Sequence, residues 1–327
     1  MQISIAEIKA RSETALVAHG AGAWQADAVA TAVARAEETG NIICGLYYLE
    51  SYCLQLLSGR VNGTIEPRVT TSRPGAISAD ARFGFSQPAF ARALPTAVVA
   101  ARANGIASLA VAHSHTCTSL GYFTEQIAAE GLIGIGFTNA SAIVAGPGGK
   151  HPVLGTNPIA ITLPGDGAPL MHADFSTAAV ALGKITMAKT AGEAIPLGWA
   201  VDATGAPTTD PARALEGALI SAADYKGWAL GLLVEAMAAG LTGSVNSLDV
   251  RGLKLPDGAP HDLGQVYLLI DPAAHGGDVA HRFARVAEAV ALDPDVRIPG
   301  VPRRKLDPVD VPDPLWTRVI ELARRQT

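Results

Sequence analysis

The chain has 327 residues, of which 49% are hydrophobic and 17% charged, with a formal net charge of -5. This composition buries a sizeable core and excludes a disordered chain, while the mild negative charge argues against a nucleic-acid or acidic-membrane surface. The three cysteines, Cys44, Cys53 and Cys117, fit neither a zinc spacing nor a disulfide framework, no apolar run reaches the roughly 18 residues of a membrane span, and the N-terminal MQISIAEIKARSE is charged where a signal peptide is apolar, so a cytoplasmic location is expected.

In chain order, Trp24 to Glu38 repeats small and apolar residues at helical spacing, with Gly40 as its stop. Gly45 to Leu57 reads as an amphipathic helix, because Leu46, Leu49, Tyr52, Cys53, Leu56 and Leu57 recur at steps of three and four. Arg68 to Phe85 is polar, has an Arg73-Pro74-Gly75 turn, and suits short strands. Pro95 to Asn104 reads as a helix that starts at its proline and ends at Gly105. Strands follow at Ile106 to Ala112 and Leu132 to Thr138, with a helix over Tyr122 to Glu130 between them. Further strands are expected at Ile159 to Leu163, Leu170 to Phe175 and Val266 to Ile270. Helices are expected at Thr177 to Thr190, Lys226 to Leu241, Asp278 to Leu292 and Leu315 to Arg325. Strands alternating with helices indicate an α/β class.

Four segments carry chemistry. The loop Gly146-Pro-Gly-Gly-Lys-His151 and the following Leu154-Gly-Thr-Asn-Pro158 offer glycine backbone that can approach a phosphate or carboxylate, although neither standard nucleotide fingerprint is present. His113-Ser114-His115 follows a strand, and simple alternation puts both histidines on one face; no acids or thiolates nearby complete a metal site, so none is expected. Asp174 ends a strand, where it either caps the next helix or faces a ligand. Lys226 opens an apolar helix at the end where the helix dipole disfavours a cation, a local conflict that often marks a binding site.

Together these segments resemble the malate/L-lactate dehydrogenase 2 family of NAD(P)-dependent oxidoreductases. The resemblance rests on GLIGIGFTN and LGTNPIAITLPG within residues 131–165, on DFSTA (174–178), LGWAVDATGAPTTDP (197–211) and DYKGWALGLLVEAMAAGLTG (224–243). It implies an α/β, non-Rossmann mixed-sheet fold with a discontinuous cofactor domain. Residues 113–279 would bind the cofactor, and residues 1–112 plus 280–327 would form a substrate and dimerisation unit. It further implies an intertwined homodimer, NADP or NAD as the hydride carrier, and a small-molecule substrate. By the family pattern, His113, Ser114, His115, Gly148, Gly149, Thr156, Asn157, Pro158, Asp174, Thr177 and Lys226 line the cofactor.

The resemblance also exposes departures. The family reads roughly G-x-x-S-H-G-x-x-R-L-x-x-Y where this chain has Gly40 to Tyr52, so Cys44 replaces a catalytic histidine and Tyr48 an arginine. In the histidine turn, His113 replaces an asparagine and Thr116 a second histidine. The catalytic candidates are therefore Cys44, Tyr48, His115, Asp174 and Lys226. Cys44 is a packing residue, a proton donor, or a pocket wall beside a donor re-sited on His113, His115, Tyr48 or Lys226. The expected reaction is reduction at C2 of a cyclic 2-imino acid (pyrroline- or piperideine-2-carboxylate) or of a 2-oxo acid. The alternatives are a 2-hydroxy-acid dehydrogenase and a non-catalytic binder of nicotinamide or metabolite. The basic run Arg303 to Lys305 either reaches a cofactor 2′-phosphate or is a surface loop.

Overall fold

The computed structural model describes residues 1–302 and 305–325, so Arg303 and Arg304 of the basic run lie outside the described residues. The helices are α1 (Ile5–Ala18), α2 (Ala23–Glu38), α3 (Leu46–Leu57), α4 (Ser86–Asn104), α5 (Gly121–Ala129), α6 (Leu182–Ala191), α7 (Pro211–Glu216), α8 (Tyr225–Glu235), α9 (Val279–Val290) and α10 (Asp313–Ala323). The principal sheet has seven strands: β1 (Arg68–Arg73), β2 (Ala76–Asp80), β3 (Ile106–Ser114), β4 (Ile133–Thr138), β5 (Ile159–Leu163), β6 (Met171–Phe175) and β7 (Leu263–Ile270). Their spatial order is β1-β2-β3-β7-β4-β5-β6. Only the β2–β3 pairing is parallel, so the sheet is mixed. The central strand β7, LGQVYLLI, is buried along most of its length, and Ile270 pairs with both Ile106 and Ile133. The sheet is shared by the two expected units, since β1 and β2 fall within residues 1–112 and β4 to β7 within 113–279.

Three apolar layers hold this frame. Helices α4 and α5 cover one sheet face, where Phe90, Phe123 and Tyr267 meet with ring centroids 4.9–5.6 Å apart. Each such ring contributes roughly 1.5–3 kcal/mol by burial. Val234 of α8 packs on the opposite face against Phe137, Ile159 and Val266. A bundle of α1, α2, α3 and α10 buries Leu16, Val29, Leu49, Tyr52 and Trp316 beside the sheet. A five-stranded sheet of two- and three-residue strands, with α6 and α7, forms a fourth, separate core around Val144, Ile185 and Leu219.

Three element boundaries differ from the sequence reading. Helix α4 starts at Ser86, with Pro95 inside it, because Ala89, Phe90 and Ala93 already face the sheet core and packing outweighs the lost backbone bond. Helix α6 starts at Leu182, since residues from Thr177 are extended: Thr177 donates its N–H to Thr156 O, Ala179 to Ile220 O, and Ala178 bridges Ser221. Helix α8 gives way after Glu235 to a π-helical turn, Ala236–Gly240, where the backbone of Gly264 comes so near that a Cβ there would lie 1.9 Å from Ala238 O.

Candidate active site

The segment 40–53 is built around a buried carboxylate. Glu37 at the end of α2 accepts a hydrogen bond from the N–H of Leu46 at 2.7 Å and so caps α3. Gly45 permits this approach, since a Cβ there would sit 2.2 Å from the same oxygen. The cap fixes the single 3₁₀ turn Ile42–Cys44 just before α3. Burial pushes the Cys44 thiol up to about 12; the charge of Asp174 adds to this, and Asn41 and Lys254 oppose it. One turn on, burial likewise raises Tyr48, whose hydroxyl donates to Leu253 O at 3.3 Å. Tyr52 donates to Thr118 Oγ1 at 3.3 Å.

Asp174 faces this segment from the end of β6. Its Oδ2 accepts from the N–H of Gly121 at 2.8 Å and from Ser119 Oγ at 3.4 Å, and Ser119 Oγ accepts in turn from Asn41 Nδ2 at 3.4 Å. Asp174 keeps an exposed edge, yet the protein crowded around it raises the carboxyl pKa above its ordinary value, the hydrogen bonds offsetting part of that rise. Asp174 is thus a ligand of the helix α5 N-terminus, through Gly121 N–H, and is joined through Ser119 and Asn41 to the segment of Cys44, a junction that forms the first candidate cleft. The cleft offers one carboxyl, one un-ionised thiol and the hydroxyls of Ser119 and Thr118.

The two histidines do not share a face. His113 adopts a left-handed φ of 50°, and the pairing of β3 with β7 is irregular between Leu263 and Gln265, so alternation fails there. His113 instead pairs with Asp262 at 2.7 Å and lines a separate cavity of about 410 Å³ with Arg68, Asp80 and Thr242. His115 is buried between Tyr52 and Phe85 and stacks on His261 at 3.9 Å, with Nε2 held by Gln55 Oε1. Burial holds its pKa well below the ordinary histidine value, so the ring is neutral. Ser114 is also buried, donating to Leu263 O and accepting from Gln265.

A second cluster gathers the remaining candidates. Thr177 Oγ1 bonds the carbonyls of Thr156 and Asn157, both at 3.1 Å. Buried Asn157 donates to Gly231 O and to Glu235 on α8, which ties the segment Thr156-Asn157-Pro158 to that helix. The chain enters α8 through Ala223 and Asp224, both at positive φ, and Gly227 lies so close to Ala222 O that a Cβ would be 2.1 Å away. Lys226 is exposed in the first turn and has no ion pair among the described residues. Gly148 and Gly149 form the exposed tip of a turn closed by Gly149 N–H to Gly146 O, and Gly146 packs on Trp228 of α8. An open helix N-terminus with a free lysine, a nearby glycine turn and a glycine too tight for any side chain suits the pyrophosphate of a dinucleotide.

Two residues around the first cleft carry no local sequence signal. The Arg60 side chain is buried and donates to the carbonyls of Gly252, Leu255 and Ala259 at 2.6–3.0 Å, fastening the loop 252–259 over α3. From that loop Lys254 Nζ lies over the ring of Tyr47, 3.4 Å from its centroid.

The sequence model of the family described as malate/L-lactate dehydrogenase matches residues 3–307. The chain is 38% identical over 304 residues to (2R)-3-sulfolactate dehydrogenase (NADP(+)) of Chromohalobacter salexigens, covering 93% of this chain and 91% of that one. It is 37% identical over 305 residues to the Delta(1)-pyrroline-2-carboxylate reductase of Ancylobacter novellus, covering 92% and 89%. The fold superposes on the crystal structure of delta1-piperideine-2-carboxylate reductase from Pseudomonas syringae with a TM-score of 0.91 at 31% identity, over 98% of this chain and 99% of that one. On this agreement of sequence and architecture along nearly its whole length, the chain belongs to the malate/L-lactate dehydrogenase family and is an oxidoreductase that works with a nicotinamide cofactor.

Proposed function

We propose that this protein reduces the C2=N bond of a small cyclic 2-imino acid of the pyrroline- or piperideine-2-carboxylate class. The observation that carries this reading is that the segment joined to Asp174 through Asn41 and Ser119 carries the thiol of Cys44, a weak acid whose pKa burial raises, while His113 is paired with Asp262 and His115 is stacked on His261. A ketone needs a proton delivered to its oxygen as hydride arrives, whereas a protonated imine already carries its proton. Asp174 then serves as the negative group beside the iminium nitrogen, with Gly121 N–H and Ser119 orienting it. Bound nicotinamide supplies the hydride. The residues proposed to hold the cofactor are Gly148, Gly149, the Thr156–Pro158 segment, Thr177 and Lys226, with residues 113–279 as the main cofactor unit. NADPH is proposed over NADH, because the sulfolactate relative's name specifies NADP(+). That relative also favours a second reading, oxidoreduction of a 2-hydroxy acid such as sulfolactate.

A homodimer is proposed from the resemblance, and the exposed leucines 230, 232, 233 and 241 on and after α8 offer it an apolar face. The three unpaired thiols support a reducing compartment. The test is loss of 340 nm absorbance with NADPH and NADH, offered pyrroline-2-carboxylate, piperideine-2-carboxylate, pyruvate, oxaloacetate and sulfopyruvate. Turnover restricted to the imines supports the first reading, and faster turnover of the oxo acids replaces it with the second.

A further inference from the structure

A protonated cyclic imino acid is a zwitterion, with a carboxylate one bond from the C=N carbon. A site for it needs a cation as well as Asp174. Arg60 is fully buried with Nε and Nη1 committed to three carbonyls, and Arg35 is engaged by Glu38 and Glu125. Lys254 differs from both. Its ammonium rests 3.4 Å from the centroid of Tyr47 and 5.1 Å from that of Tyr48, both within the turn that follows Cys44. It makes no ion pair with an acid among the described residues. Tyr48 follows Cys44 by one helical turn, and Asp174 is joined to Asn41 through Ser119, so a cation and an anion both border the segment 41–48.

The backbone that carries Lys254 is held from both sides. Leu253 O accepts from Tyr48 and Gln55, Leu255 O from Gln55 and Arg60, and Pro256 O from Ser58. Five hydrogen bonds from four side chains of α3 and the turn after it therefore present one exposed lysine over an aromatic wall, where a partly desolvated ammonium discriminates better than one in open water.

We infer that Lys254 is the anchor for the substrate carboxylate, so that the site matches the zwitterion with Lys254 on the carboxylate and Asp174 on the iminium. The inference rests on the reading of the cleft as the substrate site. It makes Lys254 a specificity determinant, in the position of charge left open by Tyr48.

The experiment compares the full chain with Lys254→Met and Lys254→Arg. Two readouts are used: steady-state reduction of pyrroline-2-carboxylate, and binding of pyrrole-2-carboxylate and pyrrole-2-carboxamide in the presence of NADP+. Lys254→Met should raise the imine KM and the pyrrole-2-carboxylate Kd about 10- to 100-fold, the usual weight of a charge-assisted contact, with kcat within about threefold. Lys254→Arg should restore much of the loss, and the carboxamide should bind parent and variants alike. An unchanged Kd in Lys254→Met, an equal loss for the carboxamide, or an equal loss of NADP+ affinity overturns the assignment. Silence of the parent on every imine would refute the reductase reading alone. The carboxylate-specific loss of binding would still decide the role of Lys254.

Discussion

Replacing Cys44 by histidine tests the link between acid strength and substrate class. The thiol at about 12 stands some 5–6 pH units above an unperturbed imidazole, near 6.5. Each unit is worth about 1.4 kcal/mol, so the thiol is the poorer donor by about 7–8 kcal/mol. If the proton is about half transferred when a keto group is reduced, the barrier changes by about 3–4 kcal/mol, or roughly 10²–10³ in rate. Cys44→His should therefore raise kcat on pyruvate or sulfopyruvate by that factor while changing kcat on the imines only a few-fold. The assay is NADPH oxidation on both substrate classes across pH 6 to 9, with Cys44→Ser as the size-matched control. An equal gain on ketones and imines, or no gain on ketones from a folded variant, would refute the reasoning.

Asp174→Asn should slow imine reduction by about 10² or more and remove the acid limb of the pH profile. In the parent, the raised carboxyl pKa means that the charge is neutralised earlier as pH falls, so kcat/KM should decline at a higher pH than for an ordinary aspartate. The linkage has the matching sign: stability gained from the protonated form is present below the unfolded pKa and is lost as pH rises through the folded one, so Asp174→Asn should melt above the parent at neutral pH. Gly227→Ala places a Cβ 2.1 Å from Ala222 O and should cost about 1–3 kcal/mol in urea unfolding and weaken NADPH binding in a fluorescence titration. Arg60→Met removes three hydrogen bonds to the 252–259 loop, leaving Ala259 O without its donor while Gly252 O keeps Leu255 N–H and Leu255 O keeps Gln55, and should lower stability by about 2–4 kcal/mol, with increased cleavage of that loop under limited proteolysis.

Much of the frame is legible in the sequence because it is periodic. The run of small apolar residues gives α2, the three-and-four spacing gives α3, and continuous apolar runs give β3, β4, β5 and β7. The small sheet is not legible, since strands of two or three residues such as Ala200–Val201 carry no period. Helix α4 is found late because Pro95 reads as a start, and only packing against the sheet reveals the turns before it. Within the site, Cys44 and Asp174 are recognisable as candidates from motif positions, and hydrogen bonds through Asn41 and Ser119 join the segments that carry them. His113 and His115 separate because a positive φ and a pairing irregularity break an alternation that sequence arithmetic assumes. Arg60 and Lys254 are invisible in advance, since their partners lie some 200 residues from α3 and only the folded loop joins them.

The burial of Cys44 has a chemical consequence apart from proton transfer. Nucleophilic attack and oxidation both proceed through the thiolate, and a thiol near 12 is ionised to only about one part in 10⁵ at pH 7. The residue is half-buried, and its thiol should be slow to alkylate, slow to form a sulfenic acid, and slow to enter thiol–disulfide exchange. Cys44 is therefore a poor point for redox control, and treatment with iodoacetamide or dilute peroxide at neutral pH should leave turnover intact.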